Sequence, residues 1–102
     1  MSLIERNDMC RAVNLRNEEF DVYIGRAGRG QDGYFGNPFQ LGRDGDREQV
    51  IEKYKKWFDA RIERDEEFKN RVLELKGKRL GCFCKPQLCH GDVIAEYVNE
   101  QS

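Results

Sequence analysis

The chain lacks the long apolar segment and the one-sided charge that are typical of membrane proteins and of nucleic-acid binders. No apolar run in its 102 residues approaches the ~20 residues that a membrane-spanning helix needs. Its 18 basic and 19 acidic residues nearly cancel, to a net charge of -1. Because proteins that bind nucleic-acid backbones are usually clearly basic, this balance disfavours nucleic acid as a partner. The sequence predicts no membrane association.

The chain also lacks a recognisable secretion signal, since its N-terminus becomes polar after a few residues. Without secretion, reduced thiols are the default state of the four cysteines, and a disulfide framework is not expected. We therefore expect a cytoplasmic protein with a single domain over residues 1–102 and a loose N-terminus over residues 1–9. This length suffices for a modest hydrophobic core.

Periodic patterns predict six secondary-structure elements in the order β-β-α-α-β-α. Alternation over residues 10–16 and the segment Phe20-Asp21-Val22-Tyr23-Ile24 predict two strands, which we expect to pair as a hairpin across a turn at 17–19. A third strand is predicted over residues 79–84. Together these strands are expected to form a short mixed sheet.

Three helices are predicted from apolar spacing and from their end signals. Asp46 and Gln49 form a capping-box pattern that begins the first helix. Asp65 can cap a second helix, for which Gly77 is the expected C-terminal glycine. A last helix is predicted over residues 89–99. The element order therefore predicts a small α/β domain, with helices packed on the mixed sheet.

Residues 82–90 contain three of the four cysteines and the only histidine. Cys and His side chains bind soft metals, act as nucleophiles and move protons near neutral pH. Cys89 is expected at the N-terminus of the last helix, a position that stabilises a thiolate and attracts anions. This placement predicts a ligand or active site in which Cys89 is the nucleophile or thiol donor. His90 is then the proton carrier or a donor to phosphate.

Two other interpretations of this cluster stay open. Cys82, Cys84, Cys89 and His90 could close a tetrahedral zinc site, with zinc as a structural cofactor. Their spacing, however, differs from the two separated C-x-x-C pairs of the common zinc ribbons. Cys is also among the most buried residue types, so these cysteines, and Cys10 with them, could be ordinary core residues.

Seven of the ten glycines lie between residues 25 and 45, in a stretch without periodicity. Residues 28–33 match G-x-G-x-x-G, but no helix follows, because Pro38 favours extended chain at Asn37. We therefore reject a dinucleotide-binding fingerprint. Glycine-rich backbone can still form an anion-binding nest, and Arg26 can neutralise a phosphate. The structural alternative is a surface loop with solvated arginines.

Taken together, the two segments predict a site for a phosphate-containing, nucleotide-like ligand, formed by residues 25–39 and 84–92. The predicted ligand-binding residues are Arg26, Asn37, Cys84, Lys85 and Asp92. Asn37 is expected to orient the ligand and to meet His90 at a shared pocket. A structural zinc module and a non-enzymatic phage or bacterial interaction protein, with a protein partner, are the alternatives, and the sequence does not fix a reaction.

The sequence also resembles a known family over nearly its whole length. The motifs that carry the resemblance are Val13-Asn14-Leu15-Arg16, Asp21-Val22-Tyr23-Ile24-Gly25-Arg26, Gly36-Asn37-Pro38-Phe39, Asp44-Gly45, Gly77-Lys78-Arg79-Leu80-Gly81-Cys82-Phe83-Cys84-Lys85-Pro86 and Cys89-His90-Gly91-Asp92. In these motifs the chain is similar to domain of unknown function 4326, a family of small phage, bacterial and fungal proteins. The resemblance implies membership of this group and no particular activity.

Overall fold

A computed structural model describes residues 9–25, 33–83, 85 and 87–101 of the chain. The elements are β1 (Arg11–Asn14), β2 (Val22–Tyr23), α1 (Arg47–Arg64), α2 (Glu66–Leu73), β3 (Arg79–Cys82) and α3 (His90–Glu100). The predicted α/β class and the order β-β-α-α-β-α are confirmed. Most of the predicted loose N-terminus lies outside the described residues. Among the helices that the structure describes, none has the length and apolar character to cross a membrane.

The three strands form one sheet in the order β1-β3-β2, and both strand pairs are parallel. Asn14 lies opposite Cys82, and Tyr23 lies opposite Gly81. The predicted hairpin between β1 and β2 is therefore wrong, because β3 separates them, and the described strands make a parallel rather than a mixed sheet. Residues 15–21 run back along the sheet and connect the end of β1 to the start of β2. Parallel pairing brings the carboxyl ends of all three strands to one edge.

An ion pair fixes the start of β2 against the start of β3. The Asp21 carboxylate accepts hydrogen bonds from the backbone N–H of Arg79 at 2.8 Å and from its guanidinium at 3.1 and 3.2 Å. These hydrogen bonds from Arg79 hold the pKa of Asp21 at about 2, below its usual value. The pairing thus joins two strands that are 58 residues apart at this point in the sequence.

The first two helices begin where their capping signals predict. Asp46 accepts a hydrogen bond from the backbone N–H of Gln49 at 2.9 Å, and its own N–H donates to the Gln49 side chain at 2.9 Å. Asp65 accepts from the backbone N–H of Phe68 at 3.1 Å. Each cap satisfies backbone N–H groups that have no partner inside the helix.

Two predicted boundaries differ from those observed. α2 ends at Leu73 rather than next to Gly77, which has a φ of 75° in the turn that leads into β3. Glycine favours this left-handed conformation because it carries no Cβ. β3 ends at Cys82, two residues before its predicted end. The start of α3 agrees with the prediction, since Cys89 is its N-cap.

The core lies between the three helices and β3. The rings of Phe58 and Phe68, 5.7 Å apart, join α1 to α2, and those of Phe58 and Tyr97, 5.6 Å apart, join α1 to α3. Fully buried side chains at the centre include Tyr54, Phe58, Phe68, Val72, Leu80, Ile94 and Val98. Burying one large apolar side chain of this kind stabilises the fold by about 1.5–3 kcal/mol.

Gly91 allows α3 to approach the sheet closely. A Cβ at this position would lie 2.6 Å from Cδ1 of Ile24 and 3.0 Å from Cβ of Ala12. Both distances are shorter than ordinary contacts between carbon atoms. The absence of a side chain at Gly91 therefore sets the first turn of α3 directly against the sheet.

Candidate functional site

A cavity of about 410 Å³ opens at the carboxyl ends of β2 and β3, where ligands commonly bind in α/β proteins. The first turns of α1 and α3 and the loop around Asn37 complete its wall. Its apolar lining includes Tyr23, Phe39, Leu41, Val50, Ile51 and Phe83, and its polar lining includes Asn37, Arg47, Cys82 and His90. The volume lies within the range of about 300–1,000 Å³ that is usual for small-molecule pockets.

Asn37 and His90 both line this cavity, as the sequence predicts. They are 53 positions apart in the chain and come from different parts of the fold, one from the glycine-rich loop and the other from α3. The two residues thus lie in the lining of one cavity, without Cys89, and what they bind stays a prediction. Arg26, the predicted phosphate-binding residue, lies outside the described residues.

The two ends of the glycine-rich loop meet beside the cavity. A Cβ on Gly36 would lie 2.8 Å from the carbonyl oxygen of Gly25, so glycine is needed where these two backbone segments touch. Asn37 then makes a tight turn, with its Oδ1 accepting a hydrogen bond from the N–H of Phe39 at 2.9 Å. Its side-chain nitrogen makes no hydrogen bond to the described part of the chain. This N–H group is therefore available to a ligand.

The loop before Asn37 is anchored on α1. The buried Tyr54 hydroxyl donates a hydrogen bond to the carbonyl oxygen of Phe35 at 3.0 Å. Burial raises the pKa of Tyr54 far above its ordinary value, so the hydroxyl keeps its proton. The Tyr54 ring also lies edge-on to His90, with 5.1 Å between the ring centroids. α1 thus supports the two sides of the cavity at once.

His90 is held by protein atoms at both ring nitrogens. Its Nε2 lies 2.7 Å from the carbonyl oxygen of Ile24, and its Nδ1 lies 3.7 Å from Sγ of Cys89. Because a carbonyl only accepts, Nε2 carries a proton, and in the neutral ring the lone pair of Nδ1 faces the thiol. This order of thiol, imidazole and orienting acceptor resembles that of activated nucleophiles. Cys89, however, is fully buried and is not part of the cavity lining.

Among the described cysteines, the one that lines the cavity is Cys82, a buried residue at the end of β3. Its Sγ lies 2.9 Å from Sγ of Cys89, which also accepts a hydrogen bond from the backbone N–H of Gly91 at 3.4 Å. The sequence placed Cys82 only in the zinc alternative. The pattern of the strand did not show that Cys82 belongs to the cavity lining.

The zinc alternative needs Cys84, which lies outside the described residues. Across the parts of the chain that the structure describes, no three His, Cys, Asp or Glu side chains are grouped so as to hold a metal ion. Cys82, Cys89 and His90 therefore do not form such a group by themselves. A zinc site completed by Cys84 stays a prediction.

Lys85 and Asp92 form an ion pair with each other and do not line the cavity. The Lys85 ammonium lies 3.0 and 3.2 Å from the two carboxylate oxygens, and Asp92 also accepts a hydrogen bond from the N–H of Cys89 at 3.1 Å. The Asn14 side chain at the end of β1 donates to the carbonyl oxygen of Lys85 at 2.7 Å. In the observed arrangement these residues hold the turn between β3 and α3.

Arg47 is a cavity residue that the sequence analysis did not identify. It follows the capping residue Asp46, and the local pattern indicated only the start of a helix. Its half-buried side chain lines the cavity, and its Nη1 donates to the carbonyl oxygen of Leu88 at 3.3 Å. Since the described lining residues include no Asp or Glu, Arg47 gives this cavity a positive charge.

Comparisons with known proteins agree with the resemblance found in the motifs. A family model described as a domain of unknown function, DUF4326, matches residues 8–100. A protein of Enterobacteria phage T4, described as an uncharacterized 12.4 kDa protein in the nrdA-td intergenic region, is 46% identical over 92 residues. The match covers 89% of this chain and 79% of that relative. No solved structure gives a significant match. The chain therefore belongs to the family of domain of unknown function 4326.

Proposed function

We propose that this protein binds a small anionic ligand with a planar ring, of the nucleotide type, in the cavity at the carboxyl ends of β2 and β3. The composition of the cavity carries this proposal. Apolar and aromatic walls surround the guanidinium of Arg47 and the side-chain amide of Asn37. The described lining residues include no carboxylate. Pockets that bind small molecules commonly combine such walls with a few polar groups that fix the ligand.

Arg47 is the group that would bind the anionic end of the ligand. A guanidinium has five N–H donors in a planar fork, and this fork matches two oxygens of a phosphate. Arg47 uses one nitrogen for the carbonyl oxygen of Leu88 at 3.3 Å, and its others make no hydrogen bond to the described residues. Arg47 is therefore able to bind a phosphate at the cavity wall.

The N-terminus of α3 is a weaker candidate for the anion than the sequence suggests. The N–H of Gly91 donates to Sγ of Cys89 at 3.4 Å, and the N–H of Asp92 donates to the carbonyl oxygen of Cys89 at 2.9 Å. An anion at this helix end would have to displace these bonds. We therefore place the phosphate at Arg47 rather than at α3.

The aromatic side chains would hold the ring of the ligand. Tyr23 and Phe83 both line the cavity, with their rings edge-to-face at a centroid distance of 6.5 Å, and Phe39 lines it as well. Stacking of a base on an aromatic side chain contributes about 1–3 kcal/mol. The Asn37 Oδ1 already accepts a hydrogen bond from the N–H of Phe39, whereas its side-chain N–H donors make no hydrogen bond to the described residues. This favours a ring with an acceptor atom at its edge.

Binding, rather than catalysis by Cys89, is the function that this geometry favours. Cys89 has no exposed surface, and it lies behind Cys82 rather than in the wall of the cavity. Of the described Cys and His residues, a ligand in the cavity would lie beside Cys82 and His90, which belong to its lining. The proposed function therefore includes no covalent step through Cys89.

Thermal-shift measurements with nucleoside monophosphates, the matching nucleosides and inorganic phosphate test the proposal. We expect a nucleoside monophosphate to raise Tm most, because it alone joins the ring to the anion. At a concentration of 100 times Kd, binding would stabilise the fold by about 2.7 kcal/mol.

Untagged protein should also be analysed for metal, since one zinc per chain with unfolding by a chelator would support the zinc alternative instead.

Two arginine variants separate specific binding from general charge effects. Arg47→Gln should remove the difference in Tm between the nucleotide and the nucleoside. Arg64→Gln, in the exposed last turn of α1, makes the same charge change at the other end of the helix and should leave that difference intact. The proposal fails if no nucleotide stabilises the wild-type protein or if the two variants behave alike.

A further inference from the structure

We propose that Cys82 and Cys89 are an oxidisable thiol pair that closes to a disulfide when a hydroperoxide enters the cavity. The two Sγ atoms lie 2.9 Å apart, although they belong to different elements, the end of β3 and the N-cap of α3. The two sulfurs therefore have to approach by roughly 1 Å to reach the length of a disulfide bond. The proposal does not depend on which ligand the cavity binds.

The surroundings of the two thiols differ and give each a separate part in the reaction. Cys82 belongs to the cavity lining with 1% of its surface exposed, so an oxidant in the cavity lies beside this residue and reaches its sulfur after a small movement of the wall. Cys89 lies behind it, with its Sγ 3.4 Å from the N–H of Gly91 and 3.7 Å from Nδ1 of His90. An N–H donor and a helix N-terminus stabilise negative charge on this sulfur. Cys82 is thus the thiol that is oxidised first, and Cys89 is the thiol that attacks it.

The reaction has two steps that balance with the hydroperoxide as the only co-reactant. In the first step, the Cys82 sulfur attacks one peroxide oxygen, the O–O bond breaks, and Cys82 becomes a sulfenic acid. The other oxygen takes the thiol proton and leaves as an alcohol, or as water when the oxidant is hydrogen peroxide. In the second step, the Cys89 sulfur attacks the Cys82 sulfur, and the hydroxyl group leaves with the Cys89 proton as water.

Cys10 offers a matched control within the same chain. It is as buried as Cys82, with 2% against 1% of its surface exposed, but unlike Cys82 it does not line the cavity. Burial raises the pKa of its thiol to about 11, which leaves little thiolate for oxidation. Cys10 should therefore stay reduced under conditions that oxidise the Cys82–Cys89 pair.

The test treats the folded, ligand-free protein with hydrogen peroxide, blocks the remaining thiols and maps the peptides by mass spectrometry. We expect the loss of two thiols per chain and a peptide pair joined through Cys82 and Cys89, both reversed by dithiothreitol. In Cys89→Ala, oxidation should stop at a Cys82 sulfenic acid that dimedone traps. Cys10→Ala should give the same yield of disulfide as the wild-type protein.

Retention of both thiols in the folded wild-type protein would overturn the proposal. A disulfide that joins Cys84 to either partner would overturn it as well, because the reactive pair would then be a different one. The wild-type peptide map decides between these outcomes even if Cys89→Ala does not fold. Since no nucleotide is present, the result is separate from the fate of the proposed function.

Discussion

Tyr54 donates its hydroxyl to the carbonyl oxygen of Phe35 at 3.0 Å, and this buried bond attaches the glycine-rich loop to α1. The same ring makes a T-shaped contact with the His90 ring at a centroid distance of 5.1 Å. Asn37, two residues after Phe35, and His90 then line one cavity. A single side chain in the core thus positions two segments that are far apart in the sequence.

We expect Tyr54→Phe to lower the free energy of unfolding by about 1–3 kcal/mol, because the carbonyl oxygen of Phe35 would be left buried without its donor. Urea unfolding of the purified protein measures this change. Tyr97→Phe is the matched control, since Tyr97 packs by its ring against Phe58 and its hydroxyl makes no hydrogen bond to the described residues. Equal losses in the two variants would contradict the role of the Tyr54 bond.

Gly91→Ala tests the close packing of α3 on the sheet. Helix propensity alone predicts a gain of about 1 kcal/mol for this change, whereas overpacking predicts a loss of about 1–3 kcal/mol. We expect a net loss, because the new Cβ would lie 2.6 Å from Cδ1 of Ile24. The loss should shrink in an Ile24→Val background, which lacks that atom. A Gly91→Ala variant as stable as the wild-type protein would refute the packing argument.

Asp92 and Lys85 should contribute unequally to stability, although they form one ion pair. Asp92→Ala removes the carboxylate that accepts from the N–H of Cys89 and should cost about 0.5–2 kcal/mol, as for other helix caps. Lys85→Ala removes only a partly exposed ion-pair partner and should cost about 1 kcal/mol or less. Denaturant unfolding compares the two. If both residues bind the ligand directly, as the sequence predicts, each variant should instead weaken nucleotide binding.

The Asp21–Arg79 pair should make stability depend on pH in acid. The pKa of Asp21 is lowered to about 2 in the folded protein, so its contribution is present above the usual carboxylate pKa of about 4. That contribution is lost as the pH falls from 4 towards 2. Asp21→Asn should therefore reduce stability at neutral pH and flatten the stability curve over this acid range.

Asp59→Asn provides the control for this pH dependence, because Asp59 is exposed on α1. Thermal unfolding at a series of pH values should show that the stability of this variant falls with pH as steeply as that of the wild-type protein. If the stability of Asp21→Asn also falls with pH as steeply as that of the wild-type protein, the ion pair does not control stability in acid.

The helices could be predicted from the sequence because their signals are local. Asp46 with Gln49, and Asp65 at the second cap, each bond to a residue three positions along, so the sequence pattern contains the whole interaction. The Asn37 turn is local in the same way. Cys89 likewise begins α3 as predicted.

The sheet and much of the site depend on contacts between distant residues, and these could not be predicted. The strand that separates β1 from β2 comes more than 50 residues later, so proximity in sequence favoured the wrong hairpin. Arg47 follows a strong helix cap, and nothing local indicates that it reaches a cavity formed by β2, β3 and α3. The contact between Cys82 and Cys89 likewise depends on how closely α3 packs on the sheet.

The central claim is that a nucleotide occupies the cavity shared by Asn37 and His90. An NMR titration of isotope-labelled protein with a nucleoside monophosphate tests it most directly, because it observes the side-chain amide of Asn37 and the guanidinium of Arg47 separately. We predict saturable shifts of both signals with a single Kd, while the exposed Arg64 signal stays unchanged. Asn37 and Arg47 signals that do not move at millimolar nucleotide, in a protein that remains folded, would contradict the account.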